Sequence, residues 1–368
     1  MSSAPRTRNR HALDAGIDHI TIAVGDAHVR AAEFVDRYGF DVIAAGDNQE
    51  FTAVAVRQRD IVLVLLQGRS DDHPATLFTA RHGDGVSDIA LRVKPQPQTE
   101  TETDPYTDAD ADTDPETEPE RTALQPFGDV THTFVRRTAG EPWSLPGIEP
   151  VAAEESAETA ETAESAADAI SAKRHLMCVD HIAICLENGE LDPTVAFYER
   201  ELGWGVVFAE DIHVGAQAMQ SKVVQSPNGQ VTLTLLQPMS GAVPGQIDDF
   251  LKKHGGGGVQ HLAFAVPDIV AAVGDLTTSG VRFLSTPDAY YENLEERLGP
   301  AGHPVAELRE HRVLADRDHD GELFQIFTRS EHPRRTLFME VVERRGATTF
   351  GSNNIRKLYE AVERQDLA

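Results

Sequence analysis

Apolar and polar positions alternate along this chain in short bursts, each followed by an amphipathic run of helical period. GIDHITIAV near the start and CVDHIAICL (178–186) alternate β-branched and polar residues, the period of a strand with one buried face. AEFVDRYGF (32–40) and AFYERELGW (196–204) follow after nearly equal gaps and carry the helical period. Short apolar runs come next, IVLVLLQ (61–67) and VTLTLLQ (231–237), then another matching pair, DGVSDIALRV (84–93) and GGVQHLAFAV (257–266). The two halves therefore repeat one another, and the unit is one strand, one helix and several further strands, about four units in all. In the second half Asp192 is placed to cap the helix, Pro193 suits its first turn and Gly203 its end. Paired βαβββ modules of this kind predict an α+β fold of two half-open barrels, with strand side chains aimed into a shared cavity.

Two stretches break the pattern. Residues 95–121 alternate acid, Thr and Pro with almost nothing apolar, too little surface to offset the entropy of ordering them, and read as a disordered insertion. Their Asp-rich spacing lacks the Gly and closing Glu of an EF-hand, so a solvated linker is the better reading than a calcium loop. Residues 152–173 are Ala/Glu-rich and read as a partly helical linker. The expected organisation is an N-terminal metal-free domain over 15–150 that carries the acidic insertion, a linker over 151–174, and a C-terminal catalytic domain over 175–368.

Charge narrows the partners. With 60 acidic against 33 basic residues the formal net charge is −27, which repels nucleic acid and anionic membranes. The N-terminal MSSAPRTRNRHALDAG lacks the apolar core of a signal peptide, and no window approaches a transmembrane length. Cys178 and Cys185, the two cysteines, form neither a disulfide framework nor a CxxC pair. The expectation is a cytoplasmic protein that binds no nucleic acid and no membrane.

Candidate chemistry comes from FMEVVERRGATTFGSNN (338–354), an apolar strand-like run with a carboxylate, Glu340, in its middle. A buried carboxylate needs a partner. His181 in VDHIAI and His261 in VQHLAF occupy matching places on repeat-related strands. Taken singly, each is the kind of histidine a core satisfies by ordinary hydrogen bonding. Their equivalence, and a carboxylate on a third strand able to converge with them, favour a metal. The first half keeps His19 but has Asp88 where His261 stands, so it has lost an equivalent site. Two His and one carboxylate on one face of an ion leave three positions open, the arrangement of non-haem Fe(II) oxygenases. Zinc accepts the same ligands, so the three residues alone do not choose the metal.

The ordered blocks VDHIAI, SKVVQSPNGQV, GQIDDFLKKHGGGGVQHLAF, RFLSTPDAYYENLEERL, DGELFQIFT, RRTLFMEVVERRG and TFGSNNIRKLYEAVERQ resemble the 4-hydroxyphenylpyruvate dioxygenase family, of the vicinal-oxygen-chelate fold. The resemblance covers roughly 175–366 and, more weakly, 15–93. It implies one Fe(II) per chain held by His181, His261 and Glu340, with 4-hydroxyphenylpyruvate and O2 as substrates and a homo-oligomer, dimer or tetramer, as the assembly. Two chemistries are known in the family. One hydroxylates the aromatic ring and shifts its side chain to give homogentisate, in tyrosine breakdown. The other, that of hydroxymandelate synthase, hydroxylates the benzylic carbon to give 4-hydroxymandelate.

Three departures bear on that choice. Where homogentisate-forming members resemble I-P-L-N-E, this chain has LTLLQ (233–237), so Thr234 and Leu236 replace Pro and Asn. Where those members have G-N-F, this chain has Asn353, Asn354 and Ile355, so a ring-packing Phe becomes Ile. All three run towards the synthase pattern, which implies benzylic hydroxylation and the supply of an arylglycine precursor for a peptide natural product. Homogentisate formation stays as the alternative, and a non-catalytic binding protein on the same fold is disfavoured by the intact His181, His261 and Glu340. By the same resemblance Ser221, Gln246 and Gln325 serve catalysis, while Thr234, Leu236, Gln260, Phe350 and Ile355 line the substrate. Strand alternation sets Gln260 and His261 on opposite faces unless a bulge intervenes. Ile355, Leu358, Tyr359 and Val362 form an apolar stripe, expected as a C-terminal helix closing over the active site.

Overall fold

The computed structural model describes residues 12–93, 123–138, 140–151, 174–299, 301–350 and 354. The acidic insertion, the Ala/Glu-rich linker, Ile355 and the helix expected beyond it lie outside the described residues.

The first half runs β1 (Ala15–Ala23), α1 (Ala27–Tyr38), β2 (Asp41–Asp47), β3 (Phe51–Gln58), β4 (Ile61–Gly68), α2 (Pro74–His82), β5 (Gly85–Val93), β6 (Ala123–Phe127), β7 (Val130–Val135) and the short β8 (Glu149–Pro150). The second runs β9 (Cys178–Cys185), α3 (Leu191–Glu201), β10 (Gly205–Val214), β11 (Gln217–Gln225), β12 (Thr232–Pro238), α4 (Gln246–His254), β13 (Gly258–Ala265) and α5 (Ile269–Thr278). A 3₁₀ turn (Asp288–Tyr290), α6 (Leu294–Leu298), α7 (Val305–Glu310), β14 (Leu314–Arg317), β15 (Glu322–Phe327) and β16 (Phe338–Arg345) complete it. Each half builds one eight-stranded sheet, in the orders β6-β7-β5-β1-β4-β3-β2-β8 and β10-β11-β12-β9-β13-β16-β15-β14. The inner strands correspond: β1 and β9 each run parallel to the last strand of their own unit, β4 or β12, and antiparallel to β5 or β13. This is the tandem vicinal-oxygen-chelate arrangement. Within the first half, the second unit carries no helix between β5 and β6 among the described residues, whereas α5 to α7 fill that place in the second half.

Alternation sorts each strand. Ile182, Ile184, Leu233 and Leu235 face the helices and join a core cluster with Val195, Tyr198 and, across the halves, Phe40 and Leu91. The halves are also tied by hydrogen bonds: the Trp204 indole donates to the Leu13 carbonyl at 2.9 Å, the Leu176 amide donates to Gln58 at 2.6 Å, and Arg37 pairs with Glu331. The helix start in the second half differs from the expected one. α3 begins at Leu191 with Glu190 at its cap position, and Asp192 sits inside the first turn. There its charge suits the helix dipole and it binds Lys222 of β11 at 2.5 Å. Gly203 ends the segment in the left-handed conformation, φ 66°, as its position after the helix requires.

Candidate metal centre

Sheet register brings the chemistry-bearing residues onto one face. His181 lies opposite Ala263, and Ala263 is the parallel partner of Glu340. Ala183 is paired with both His261 and Thr234. Thr234 in turn faces Val223, and Leu236 faces Ser221. Cross-strand partners share a face, so His181, His261, Glu340, Ser221, Thr234 and Leu236 all look into the concave side of the second sheet.

Three of them meet. Oε2 of Glu340 lies 3.3 Å from Nε2 of His181 and 3.1 Å from Nε2 of His261, and the three side chains are 1%, 4% and 6% exposed. The opposite nitrogen of each ring is already engaged. Nδ1 of His181 donates to Asp180 at 2.7 Å, and Nδ1 of His261 donates to the Gln260 side-chain oxygen at 3.2 Å. Both rings therefore present Nε2 to Glu340. Two skips in register make this possible. Between β9 and β13 the pairing drops one residue at Asp180 and one at Gln260. Each extra residue is a bulge that turns the preceding side chain towards the ring it supports. Gln260 thus stands beside His261, where unbroken alternation would put it on the other face.

Further bonds hold these partners. Arg344 grips Asp180 through two nitrogens at 2.7 and 2.9 Å. Burial opposes ionisation of Asp180, but its bonds to His181 and Arg344 win and hold its carboxyl well below the usual carboxylate range. The Gln325 amide donates to Oε1 of Glu340 at 2.6 Å and accepts from Asn354 at 2.8 Å, and Tyr290 donates to Asn354 at 3.2 Å. Aromatic rings wall the site. Phe350 stands edge-on to His181 with centroids 5.1 Å apart, Phe338 stacks on His261 at 4.9 Å, and Arg344 lies over Phe350.

The charges of the three groups depend on one another. Burial works against the Glu340 carboxylate, yet the two imidazoles push its pKa down to about 2. Burial works against the His181 cation as well, but Glu340 and Asp180 raise it to about 9. His261 moves the other way, lowered by burial and by the neighbouring His181 charge. A fully buried carboxylate that requires a cation beside it, with two imidazole nitrogens aimed at the same oxygen, is a donor set fitted to a divalent metal. Two other groupings of potential ligands exist among the described residues, Asp268–His303–Glu343 and Asp318–His319–Asp320. Glu343 is satisfied by the Ile269 amide, His303 and Arg345, and Asp318 by backbone amides.

The remaining expected site residues differ in their surroundings. Leu236 belongs to an apolar cluster with Cys185, Met219, Ile247 and Phe250, under α4. The Thr234 hydroxyl is buried and has no hydrogen-bond partner among the described residues. Gln246 opens α4 and borders a small pocket with Gln260 and Phe338. Gln325 touches Glu340 and Asn354, so its contact is with a candidate ligand. Asp180, Arg344, Asn354, Tyr290 and Phe338 were missed as site residues. A signal for the first two existed: Asp precedes His in both Asp18-His19 and Asp180-His181, and Arg137 repeats the placing of Arg344.

The chain is similar to several known proteins. A family model described as the Glyoxalase/Bleomycin resistance protein/Dioxygenase superfamily matches residues 180–295. A 4-hydroxyphenylpyruvate dioxygenase from Dictyostelium discoideum is 30% identical over 95% of this chain and 98% of its own length. One from Danio rerio is 30% identical over 94% of this chain and 89% of its own. Among solved structures, a mutant of 4-hydroxymandelate synthase from Streptomyces coelicolor superposes with a TM-score of 0.76 at 34% identity, covering 95% of this chain and 99% of that one. Among the described residues no helix is long and apolar enough to cross a membrane.

Proposed function

The chain belongs to the 4-hydroxyphenylpyruvate dioxygenase family, and from that premise we propose that it converts 4-hydroxyphenylpyruvate and O2 to 4-hydroxymandelate and CO2 at an Fe(II) ion held by His181, His261 and Glu340. The observation that carries the reading is the meeting of two Nε2 atoms and one carboxylate oxygen on the concave face of the second sheet. Iron bound there would offer open positions to a chelating 2-oxo acid and to dioxygen, and would supply the redox chemistry of decarboxylation and hydroxylation. The atoms balance: one oxygen enters the new carboxylate, the other enters the benzylic C–H bond, and the old carboxylate leaves as CO2.

The protein's part is orientation and exclusion of water. The Asp180–Arg344 pair fixes the His181 ring, Gln260 fixes His261, and Gln325 with Asn354 fixes Glu340. Phe350 and Phe338 give apolar cover over the two imidazoles. Benzylic attack is favoured by the departures at Thr234 and Leu236, which fall on the same face as His181, and by the likeness to 4-hydroxymandelate synthase. An apolar wall at Leu236 offers the ring no polar handle. A preference of about 1.4 kcal/mol in its orientation changes the partition between competing steps tenfold.

The names of the curated relatives favour the second reading, homogentisate formation. Incubation with 4-hydroxyphenylpyruvate, Fe(II) and air, with products separated by chromatography and weighed by mass, decides between them. 4-Hydroxymandelate is expected as the main product. Homogentisate as the main product rejects the proposal while leaving the family assignment intact.

A further inference from the structure

The first half repeats the support of the candidate metal centre and keeps one ligand position, His19, while Asp88 and Thr133 stand at the other two. Nδ1 of His19 donates to Asp18 at 2.8 Å, and Arg137 grips Asp18 through two nitrogens at 3.0 and 2.7 Å. Arg137 lies over the Trp143 ring, and Trp143 stands edge-on to His19 with centroids 5.5 Å apart. These are the relations of His181, Asp180, Arg344 and Phe350, and the pairing between β1 and β5 skips a residue at Asp18 just as it does at Asp180. Register puts Asp88 beside Thr131 where His261 lies beside Phe338, so Thr133 occupies the place of Glu340.

That framework opens on a cavity of about 900 Å³, lined by His19, Asp88 and Thr133 at one end and by apolar side chains such as Leu66, Phe78 and Ile148. Its volume lies in the range of small-molecule sites. We propose that it binds an aromatic compound with a protonated amine head, and that it does so independently of the metal centre. His19 is 4% exposed and spends Nδ1 on Asp18, leaving Nε2 as an acceptor. Asp88 receives the Thr131 hydroxyl at 2.6 Å and the Thr133 amide at 3.1 Å on one oxygen, and its other oxygen has no hydrogen-bond partner among the described residues. The polar end therefore offers two acceptors and a negative charge. Among the described lining residues the one guanidinium, Arg81, is paired with Asp129 at 2.7 Å, which offsets the charge it could offer a ligand carboxylate. The rest of the wall suits an aromatic ring.

Trp143, one of two tryptophans, reports on the site from beside His19. Phenethylamine added to the full-length iron-loaded protein should change tryptophan emission saturably, and 3-phenylpropanoate, its anionic counterpart, should bind at least tenfold more weakly. Asp88→Asn keeps the acceptor for Thr131 and Thr133 and should weaken phenethylamine at least tenfold. His19→Gln should weaken it as well. Trp143→Phe should abolish the optical signal. Equal binding of amine and anion by the native protein overturns the proposal, and so does a signal that survives in Trp143→Phe or an affinity untouched by Asp88→Asn.

Discussion

Gln325 donates a hydrogen bond of 2.6 Å to Oε1 of Glu340, on the side of the carboxylate away from the two imidazoles. The bond fixes which oxygen of Glu340 faces Nε2 of His181 and His261. It is itself held by Asn354, whose side chain meets Tyr290.

Loss of that bond should weaken the metal. Gln325→Leu leaves a buried carboxylate free to rotate, and Fe(II) affinity should fall about 10- to 100-fold, the usual effect of removing a partner that orients a ligand. Anaerobic competition titration against a chelator measures it. Affinity unchanged within twofold would show that Glu340 is positioned by its strand alone.

The orphaned hydroxyl of Thr234 makes a contrasting case. Thr234→Val keeps the shape and removes a buried group without a partner among the described residues, so stability should hold or rise, by about 1 kcal/mol at most. If that hydroxyl meets the substrate, KM for 4-hydroxyphenylpyruvate should rise several-fold with the melting temperature unaltered. A drop in stability with unchanged KM would assign Thr234 to packing.

Acid should destabilise the chain through two buried histidines outside the candidate metal cluster. His132 donates to the Ile89 carbonyl and accepts from the Tyr198 hydroxyl, and burial pushes its pKa down to about 4. His254 is pushed down to about 4 by burial and by His82. The unfolded chain binds these protons near pH 6.5, so stability is full above that pH and is lost as pH falls towards 4. His132 accounts for about 3 kcal/mol across the window. Urea midpoints between pH 7.5 and 4.5 should fall steeply in the native protein and less steeply in His132→Gln. Parallel curves would reject the assignment.

Much of this was legible in the residues, because the repeat is written in strand periodicity and strand periodicity follows burial. His181 and His261 stand out by equivalence, and Glu340 by its misfit in an apolar run. The support of the rings was harder to read. Alternation sends Asp180 and Gln260 away from the histidines, and only the register of β9 against β13 reveals the two bulges that bring them back. Arg344 and Gln325 lie far along the chain from Asp180 and Asn354, so their pairing depends on which strands become neighbours. The Asp192 cap failed because the helix starts before it, at Leu191, which puts Asp192 inside its first turn, where the carboxylate pairs with Lys222 of β11.

The account rests on one ferrous ion bound between His181, His261 and Glu340, and anaerobic iron titration of the native chain beside Glu340→Ala tests it most directly. The prediction is one Fe(II) per native chain and at least a hundredfold weaker binding in the variant, with circular dichroism unchanged. Equal iron binding by the two proteins would contradict it.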